Sequence, residues 1–409
     1  MPAPTSTNAV NSPPSLDRHQ WSLLFVLAAN MLIDSLELAT VLVVLPSAGT
    51  ALAAPLWAQL WVLAGFPAGF ALGLVLGGRI TARWGRRRVF LAALVGYLMA
   101  ALIAGLAAVS AVLTAAQVAK GCCAALTAPV GLAIIGSTFP EGPRRRQAVT
   151  VYALFGAAGS TTGLLLAGAL TGVSWRLPLL VPVPVVVLLL VIARRRLPRD
   201  IAAPPQPSVP VREVVRDRLL LRSAFGAAAL NGTFMSLLFL INVRLQATAG
   251  RPPWQAALIC LPTCLPLVAG PFFAPRLISR FGTRLPIALG ATAALTGYAL
   301  CLWHLEPARL GAWLVPAVFL VGIGLALSFA PLNVQAVSAA TPRTRGRSAQ
   351  VFQTAVQLGA VALLPAVTAL LARADGYRSA LLLVVAVSAA GLLLALSGPL
   401  RRPAPAGGR

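Results

Sequence analysis

Long apolar stretches separated by short polar gaps set the pattern of this chain from residue 21 onward. The stretches lie near 21–46, 57–78, 89–109, 112–138, 148–172, 177–193, 221–243, 254–275, 285–305, 310–338, 349–372 and 379–399. A helix needs about 20 mainly apolar residues to cross a bilayer core, so the pattern predicts twelve spanning helices in an all-α membrane protein. The third and fourth stretches nearly merge between Ala107 and Val112, and their separation rests partly on the repeat described below. Small residues from Ser47 to Ala54 follow the first stretch, as they would at a signal-peptide cleavage site. That stretch is longer than the roughly 7–15 residues of a signal core and carries two carboxylates, so it reads as a retained helix.

The gaps give the organisation. Residues 1–20, rich in Pro, Ser, Thr and Asn, read as a disordered tail. The longest internal gap, Arg194 to Arg222, holds Pro198, Pro204, Pro205, Pro207 and Pro210 and reads as a linker. The expected domains are a six-helix bundle at 21–193, a linker at 194–220, a second six-helix bundle at 221–399 and a tail at 400–409. An internal repeat supports this division. Gly78-Arg79-Ile80-Thr81-Ala82-Arg83-Trp84-Gly85-Arg86-Arg87 follows the second stretch, and Pro275-Arg276-Leu277-Ile278-Ser279-Arg280-Phe281-Gly282-Thr283-Arg284 follows the eighth. Gly96-Tyr97 in the third stretch likewise pairs with Gly297-Tyr298 in the ninth. Duplication of a six-helix unit predicts two pseudo-symmetric bundles around a central cavity, the build of a secondary transporter.

Composition agrees with a lipid environment: 58% of the 409 residues are hydrophobic and 10% are charged, against roughly 25% charged in soluble proteins. The net charge of +24 comes from 33 basic and 9 acidic residues, and every base but Lys120 is arginine. Nucleic-acid binding would gather such charge on a soluble domain or an arm. Here the arginines sit in the gaps, and with both ends on one side 26 fall on that side and 6 on the other. The bias predicts a multi-pass protein of the cell membrane with both termini cytoplasmic.

Several kinds of chemistry lack their residues. With Lys120 the only lysine, no phosphate-binding G-x-x-x-x-G-K-[ST] loop exists. His19 and His304 are far apart, so neither a metal cluster nor a histidine-based triad can be assembled locally. Cys122, Cys123, Cys260, Cys264 and Cys301 all lie in apolar stretches and read as small buried hydrophobes. The expectation is a non-enzyme with no metal and no cofactor.

Charges inside the membrane are costly and mark function by default, and Asp34, Glu37 and Lys120 are the three such residues. Asp34 and Glu37 stand three apart on one helix face. Two carboxylates that close and partly desolvated do not both ionise easily, which suits a proton carrier.

The residues of the first repeat, Gly78, Arg83, Gly85, Arg86 and Arg87, resemble the loop motif of the major facilitator superfamily, and the wider pattern resembles its drug:proton antiporters. Glu37 followed nine residues later by Pro46 looks like the antiporters' acid and proline in helix one. Gly156, Gly159, Gly163 and Gly168, then Ser174-Trp175-Arg176, look like their helix-five motif, with Leu164 where a proline is expected; close helix packing explains these glycines equally well. Leu245-Gln246, Gly250 and Leu261-Pro262, Gly322-Ile323-Gly324, and Gln350, Gln353 and Gln357 with Gly359 resemble segments of the fourteen-helix antiporters, although the two extra central helices have no residues here. In helix four, Gln117 and Lys120 occupy the places of the family's arginine and glutamine, which moves the cation by about one turn.

The resemblance implies a gating loop of Gly78, Arg83, Gly85, Arg87, Arg280 and Gly282. Its charge relay is incomplete, because Ala82 and Ser279 stand where an acid is expected. It also implies proton coupling by Asp34, Glu37 and Lys120, with Lys120 paired to one of the carboxylates as a switch or as a static salt bridge. Asn30, Gln117, Asn231, Met235, Ser236, Asn333, Gln353 and Gln357 would line a cavity suited to a bulky, mostly apolar substrate, though each could instead bond neighbouring helices. The implied activity is export of hydrophobic or amphipathic small molecules, such as antibiotics, in exchange for protons down their gradient. Metabolite uptake and a transport-dead sensor or scaffold are the alternatives. The expected partners are the substrate, protons and the lipid bilayer, with no nucleic acid, and the chain is expected to be monomeric.

Overall fold

The computed structural model describes residues 17–139, 142–197, 209–303, 310–341, 343–373 and 376–396. Twelve helices among them are long and apolar enough to span a membrane: α1 Gln20–Ala51, α2 Leu56–Trp84, α3 Arg86–Gly105, α4 Ser110–Gly136, α5 Arg144–Thr171, α6 Arg176–Arg196, α7 Arg218–Thr248, α8 Pro253–Phe281, α9 Arg284–Trp303, α10 Trp313–Ser338, α11 Arg345–Leu371 and α12 Gly376–Leu394. The third and fourth apolar stretches are separate helices. Most of the tails, 1–16 and 397–409, and the centre of the expected linker, 198–208, lie outside the described residues.

Local chemistry sets the helix ends. Asp217 caps α7 by accepting hydrogen bonds from the backbone N–H groups of Leu219, at 2.8 Å, and Leu220, at 3.4 Å, which satisfies donors that the first turn leaves free. Gly85 between α2 and α3 has φ +79°, and Gly282 between α8 and α9 has φ +70°, a left-handed conformation that glycine adopts without steric cost. The two sharp turns therefore repeat along with the sequence around them. Several helices run past their apolar stretch into the arginines, as α2 does to Trp84 and α5 from Arg144. Exposed tryptophans mark both ends of the bundle, among them Trp21, Trp57, Trp84, Trp254, Trp303 and Trp313. This is the placement expected at the two membrane–water boundaries.

Helix neighbours repeat with a shift of six. In the first half α1 packs on α5, α2 on α4, and α3 on α4 and α6; in the second α7 packs on α11, α8 on α10, and α9 on α10 and α12. The halves meet along α2–α11 and α5–α8, contacts that the same shift interchanges. The fold is thus two pseudo-symmetric six-helix bundles. One buried apolar cluster fills the arginine-rich end of the first bundle, including Leu23, Ile33, Phe70, Ala124 and Leu189. A second starts at Ala39, takes in Leu60, Leu113 and Leu164 at the opposite end, and continues without a break into the second bundle. On α1 and α4 the boundary between the two clusters falls at Asp34–Glu37 and Gln117–Lys120.

Candidate functional site

The site is built where α1, α3 and α4 converge. Glu37 and Lys120 are both fully buried and form an ion pair, the Lys120 ammonium meeting Glu37 Oε1. The second carboxylate oxygen, Oε2, accepts a hydrogen bond from the Tyr97 hydroxyl on α3 at 3.1 Å. One turn nearer the arginine-rich end, Asn30 Nδ2 donates to Asp34 Oδ2 at 3.2 Å and to Thr127 Oγ1 on α4 at 3.0 Å. The Thr127 hydroxyl in turn donates a hydrogen bond to the Ala124 carbonyl at 3.0 Å. Asp34 has no ion-pair partner among the described residues and is 7% exposed. The two carboxylates therefore differ: Glu37 is neutralised by a cation, and Asp34 is held by a neutral amide at the edge of the packed interior.

Close backbone approach makes this geometry possible. A Cβ on Gly163 of α5 would lie 2.6 Å from the Leu36 carbonyl oxygen, and one on Gly159 would collide with the carbonyl of Leu32. These glycines seat α5 directly against the stretch of α1 that carries Asp34 and Glu37. Gly156 faces Met31 on the same side, whereas Gly168 faces Trp254 and Ala257 of α8, across the boundary between the halves. On the other side, Gly69 of α2 meets the Val118 carbonyl and Gly121 of α4 meets that of Phe66, which brings the Lys120 turn close to α2. Small residues that let backbones touch are the usual device of helix packing in lipid.

The second bundle reproduces the frame without the charges. Gly359 of α11 packs against the Ala228 carbonyl of α7, and Tyr298 of α9 donates to Thr233 Oγ1 of α7 at 3.0 Å, as Tyr97 donates to Glu37. Thr233 itself donates to the Ala229 carbonyl at 2.7 Å. Asn231 Nδ2 donates to the Val356 carbonyl at 2.9 Å and so ties α7 to α11. Met235 and Gln357 are nearly buried, Ser236 is fully buried, and Asn333 and Gln353 are half-buried. Gln117 lies apart from these residues, inside the first bundle and one turn beyond Lys120.

In the loop that the resemblance marks as a gate, Arg87 Nη2 donates to the Arg194 carbonyl at the end of α6, 2.7 Å away. Arg280 lies over the Phe281 ring at 5.3 Å, and Arg83 and Gly78 are exposed. Ala82 and Ser279 are exposed too, and the Ser279 hydroxyl bonds locally to the Arg276 carbonyl at 2.9 Å. Two glutamine hydrogen bonds between the halves lie at opposite ends. Gln350 of α11 donates to the Leu74 carbonyl of α2 at the arginine-rich end. Gln246 of α7 donates to the Val43 carbonyl of α1 at 3.0 Å and to Asn242 Oδ1 at 3.1 Å at the other.

Tyr97 and Thr127 are the members of the site that the sequence did not single out. Tyr97 left one trace, the Gly-Tyr pair that recurs at Gly297-Tyr298.

An all-helical, multi-pass membrane protein with a duplicated six-helix unit and charges at the centre of one bundle is the class these observations define. The Major Facilitator Superfamily model matches residues 23–363, and the chain belongs to that family. The MFS-type transporter EfpA of Mycobacterium tuberculosis is 38% identical over 120 residues, 29% of this chain, and the match spans only 23% of EfpA. The puromycin resistance protein pur8 of Streptomyces alboniger is 28% identical over 403 residues, covering 84% of this chain and 80% of that protein. A solved structure of the nucleoside transporter NupG superposes with a TM-score of 0.76 over 93% of this chain and 99% of NupG, at 11% identity, a likeness of fold alone.

Proposed function

We propose that this chain is a proton-driven exporter of hydrophobic or amphipathic small molecules working by alternating access, with two bundles at 21–193 and 221–399, a linker at 194–220 and both termini cytoplasmic. The observation that carries this reading is the buried Glu37–Lys120 pair with its Tyr97 bond, at the boundary between the two apolar clusters. The similarity to a puromycin resistance protein over most of both chains supports the substrate class.

Protonation of Glu37 neutralises the carboxylate and leaves the Lys120 ammonium facing a neutral acid. A buried charge without its partner is strongly disfavoured, so the protonated state favours a different packing of α1 against α4. Deprotonation restores the pair. Asp34, without a cation partner among the described residues and slightly accessible, is the second carboxylate of the cycle. Each elementary charge moved through a 100 mV membrane potential supplies about 2.3 kcal/mol, enough to bias such an exchange. No cofactor enters this cycle. The substrate, protons and surrounding lipid are its partners, and the monomer is sufficient.

Purified protein in proteoliposomes tests the reading, with puromycin or ethidium added under a fixed pH gradient. Substrate-driven proton flux is expected in the wild type, with at least a tenfold loss in Glu37→Gln and a clear loss in Asp34→Asn. Full flux in both variants would remove the proton from α1 and overturn the assignment.

A further inference from the structure

We propose that Asn30, oriented by Thr127, is the positioning residue that lets Asp34 give up its proton beside a charged Glu37; this rests on the antiport reading above. Asn30, Asp34 and Thr127 are all buried. The Thr127 hydroxyl has a single proton, and that proton is committed to the Ala124 carbonyl at 3.0 Å. Its oxygen can then only accept, so the Asn30 amide turns its nitrogen, not its oxygen, toward Thr127 at 3.0 Å. The same nitrogen lies 3.2 Å from Asp34 Oδ2. An ionised carboxylate only accepts hydrogen bonds, and a donor held against it favours the charged form. Thr127 thereby decides that Asp34 meets a donor.

Release is otherwise difficult at this place. Asp34 and Glu37 are three residues apart on one helix face, and two carboxylates that close and desolvated resist ionising together. Lys120 neutralises Glu37, and Asp34 has no cation of its own among the described residues. The ionisable groups around Asp34 are Glu37 on α1, Tyr97 on α3, Cys123 on α4 and Tyr152 on α5. None of these is a cation. The Asn30 amide supplies to Asp34, as the positive end of a dipole, what Lys120 supplies to Glu37 as a full charge.

The second bundle provides the contrast. One residue shift carries Tyr97, Gly121 and Thr127 to Tyr298, Gly322 and Ser328, and another carries Asn30, Leu32, Asp34 and Glu37 to Gly226, Ala228, Leu230 and Thr233. The contacts obey both shifts: Tyr97 donates to Glu37 and Tyr298 to Thr233, while Gly159 packs on the Leu32 carbonyl and Gly359 on that of Ala228. There the hydroxyl survives as Ser328 but donates to the Ile287 carbonyl of α9 at 3.3 Å, and the α7 residue beside it is Gly226, without a side chain to bridge. Carboxylate and amide are lost together. An amide needed only to tie two helices would have no reason to follow the acid. In the step proposed, the O–H bond of protonated Asp34 breaks and the proton leaves to water on the release side. The electron pair stays on the carboxylate, and the bond from Asn30 strengthens as charge appears on its acceptor.

Infrared titration of the purified protein in lipid nanodiscs tests this directly, through the protonated-carboxyl stretch that Asp34→Asn abolishes. In Asn30→Leu the midpoint of that band is expected to rise by about one pH unit, a tenfold change in proton affinity. A smaller rise is expected in Thr127→Val, which keeps the shape of the side chain but not the acceptor. Thr127→Ser restores the acceptor and is expected to titrate as the wild type does. In proteoliposomes with puromycin or ethidium, the release-side pH that gives half-maximal proton flux is expected to move with the midpoint. Unmoved midpoints in Asn30→Leu and Thr127→Val, even with lowered unfolding temperatures, would reduce the amide to a helix tie and overturn the assignment while leaving the antiport reading standing. A wild type with no band lost in Asp34→Asn also overturns it, since a carboxylate that never takes a proton has none to release. Midpoints that move as expected in a protein without substrate-driven proton flux fail the antiport reading and leave the pairing of Asn30 with Asp34 in place.

Discussion

Glu37 and Thr233 receive equivalent hydroxyl bonds, from Tyr97 and Tyr298, and differ in what the bond supports. A hydrogen bond to a charged group contributes about 1.5–3 kcal/mol, and one between neutral groups about 0.5–1.5. Tyr298→Phe leaves Thr233 bonded to the Ala229 carbonyl, whereas Tyr97→Phe leaves Glu37 Oε2 buried with one partner fewer. Thermal unfolding in detergent is therefore expected to fall further for Tyr97→Phe than for Tyr298→Phe; equal shifts would mean that the Tyr97 bond does not serve a charge. Asp34, Glu37 and Lys120 were legible in the sequence because a charge amid apolar residues announces itself. Tyr97 and Thr127 were not. Their role depends on the rotation of α3 and α4, and helices apolar on nearly every side give no face from which to read it. Gln117 and Lys120 look alike in the sequence, one turn apart on the same helix, yet Lys120 is paired and the Gln117 amide has no hydrogen-bond partner among the described residues.

At the scale of the helix, the α5 glycines decide where α1 sits. Gly159 and Gly163 allow contact with the Leu32 and Leu36 carbonyls, so a side chain at either position must push α1 and its carboxylates away. Overfilling a packed contact costs about 1–3 kcal/mol, more than the roughly 0.8–1 kcal/mol that alanine gains over glycine in a helix interior. Gly159→Ala is expected to lower the unfolding temperature and reduce coupled flux together. Gly172, at the end of the same helix with φ −64° and open space around it, is the contrast: Gly172→Ala should be neutral or slightly stabilising by restricting the unfolded chain. A fall for both would mean that the loss is not specific to the α1 contact. The helices themselves were plain in the sequence, and so was the duplication that made twelve of them. Their extension into the arginines was not, because hydropathy ends where the polar surface begins while the backbone hydrogen bonds run on. Two explanations of the glycines stood level in the sequence, motif or packing, and contact distances show close packing against α1 and α8.

For the whole molecule, the two ends are closed by different means. Away from the arginines, one apolar cluster runs from α1, α2, α4 and α5 into the second bundle, and Gln246 adds a bond from α7 to the Val43 carbonyl of α1. At the arginine-rich end the first bundle has an apolar cluster of its own. There Gln350 bonds the Leu74 carbonyl, while Arg347 joins Gln350 at 2.8 Å to the Val209 carbonyl at 3.0 Å. Both of these bonds are neutral amides from the second half reaching carbonyls of the first, in a chain with Ala82 where the resemblance expects an acid. If the halves rock, the two glutamines oppose each other, since each is made only while its own end is shut. Losing one hydrogen bond of about 1 kcal/mol changes an equilibrium about fivefold. Spin-label distances across each end are thus expected to show Gln350→Ala favouring the form open at the arginine-rich end and Gln246→Ala the form open at the other. The second shift should be smaller, because the continuous apolar packing still seals that end. Shifts in the same direction would rule out opposed latches, and a larger effect from Gln246 would mean that the apolar seal is weaker than its burial implies.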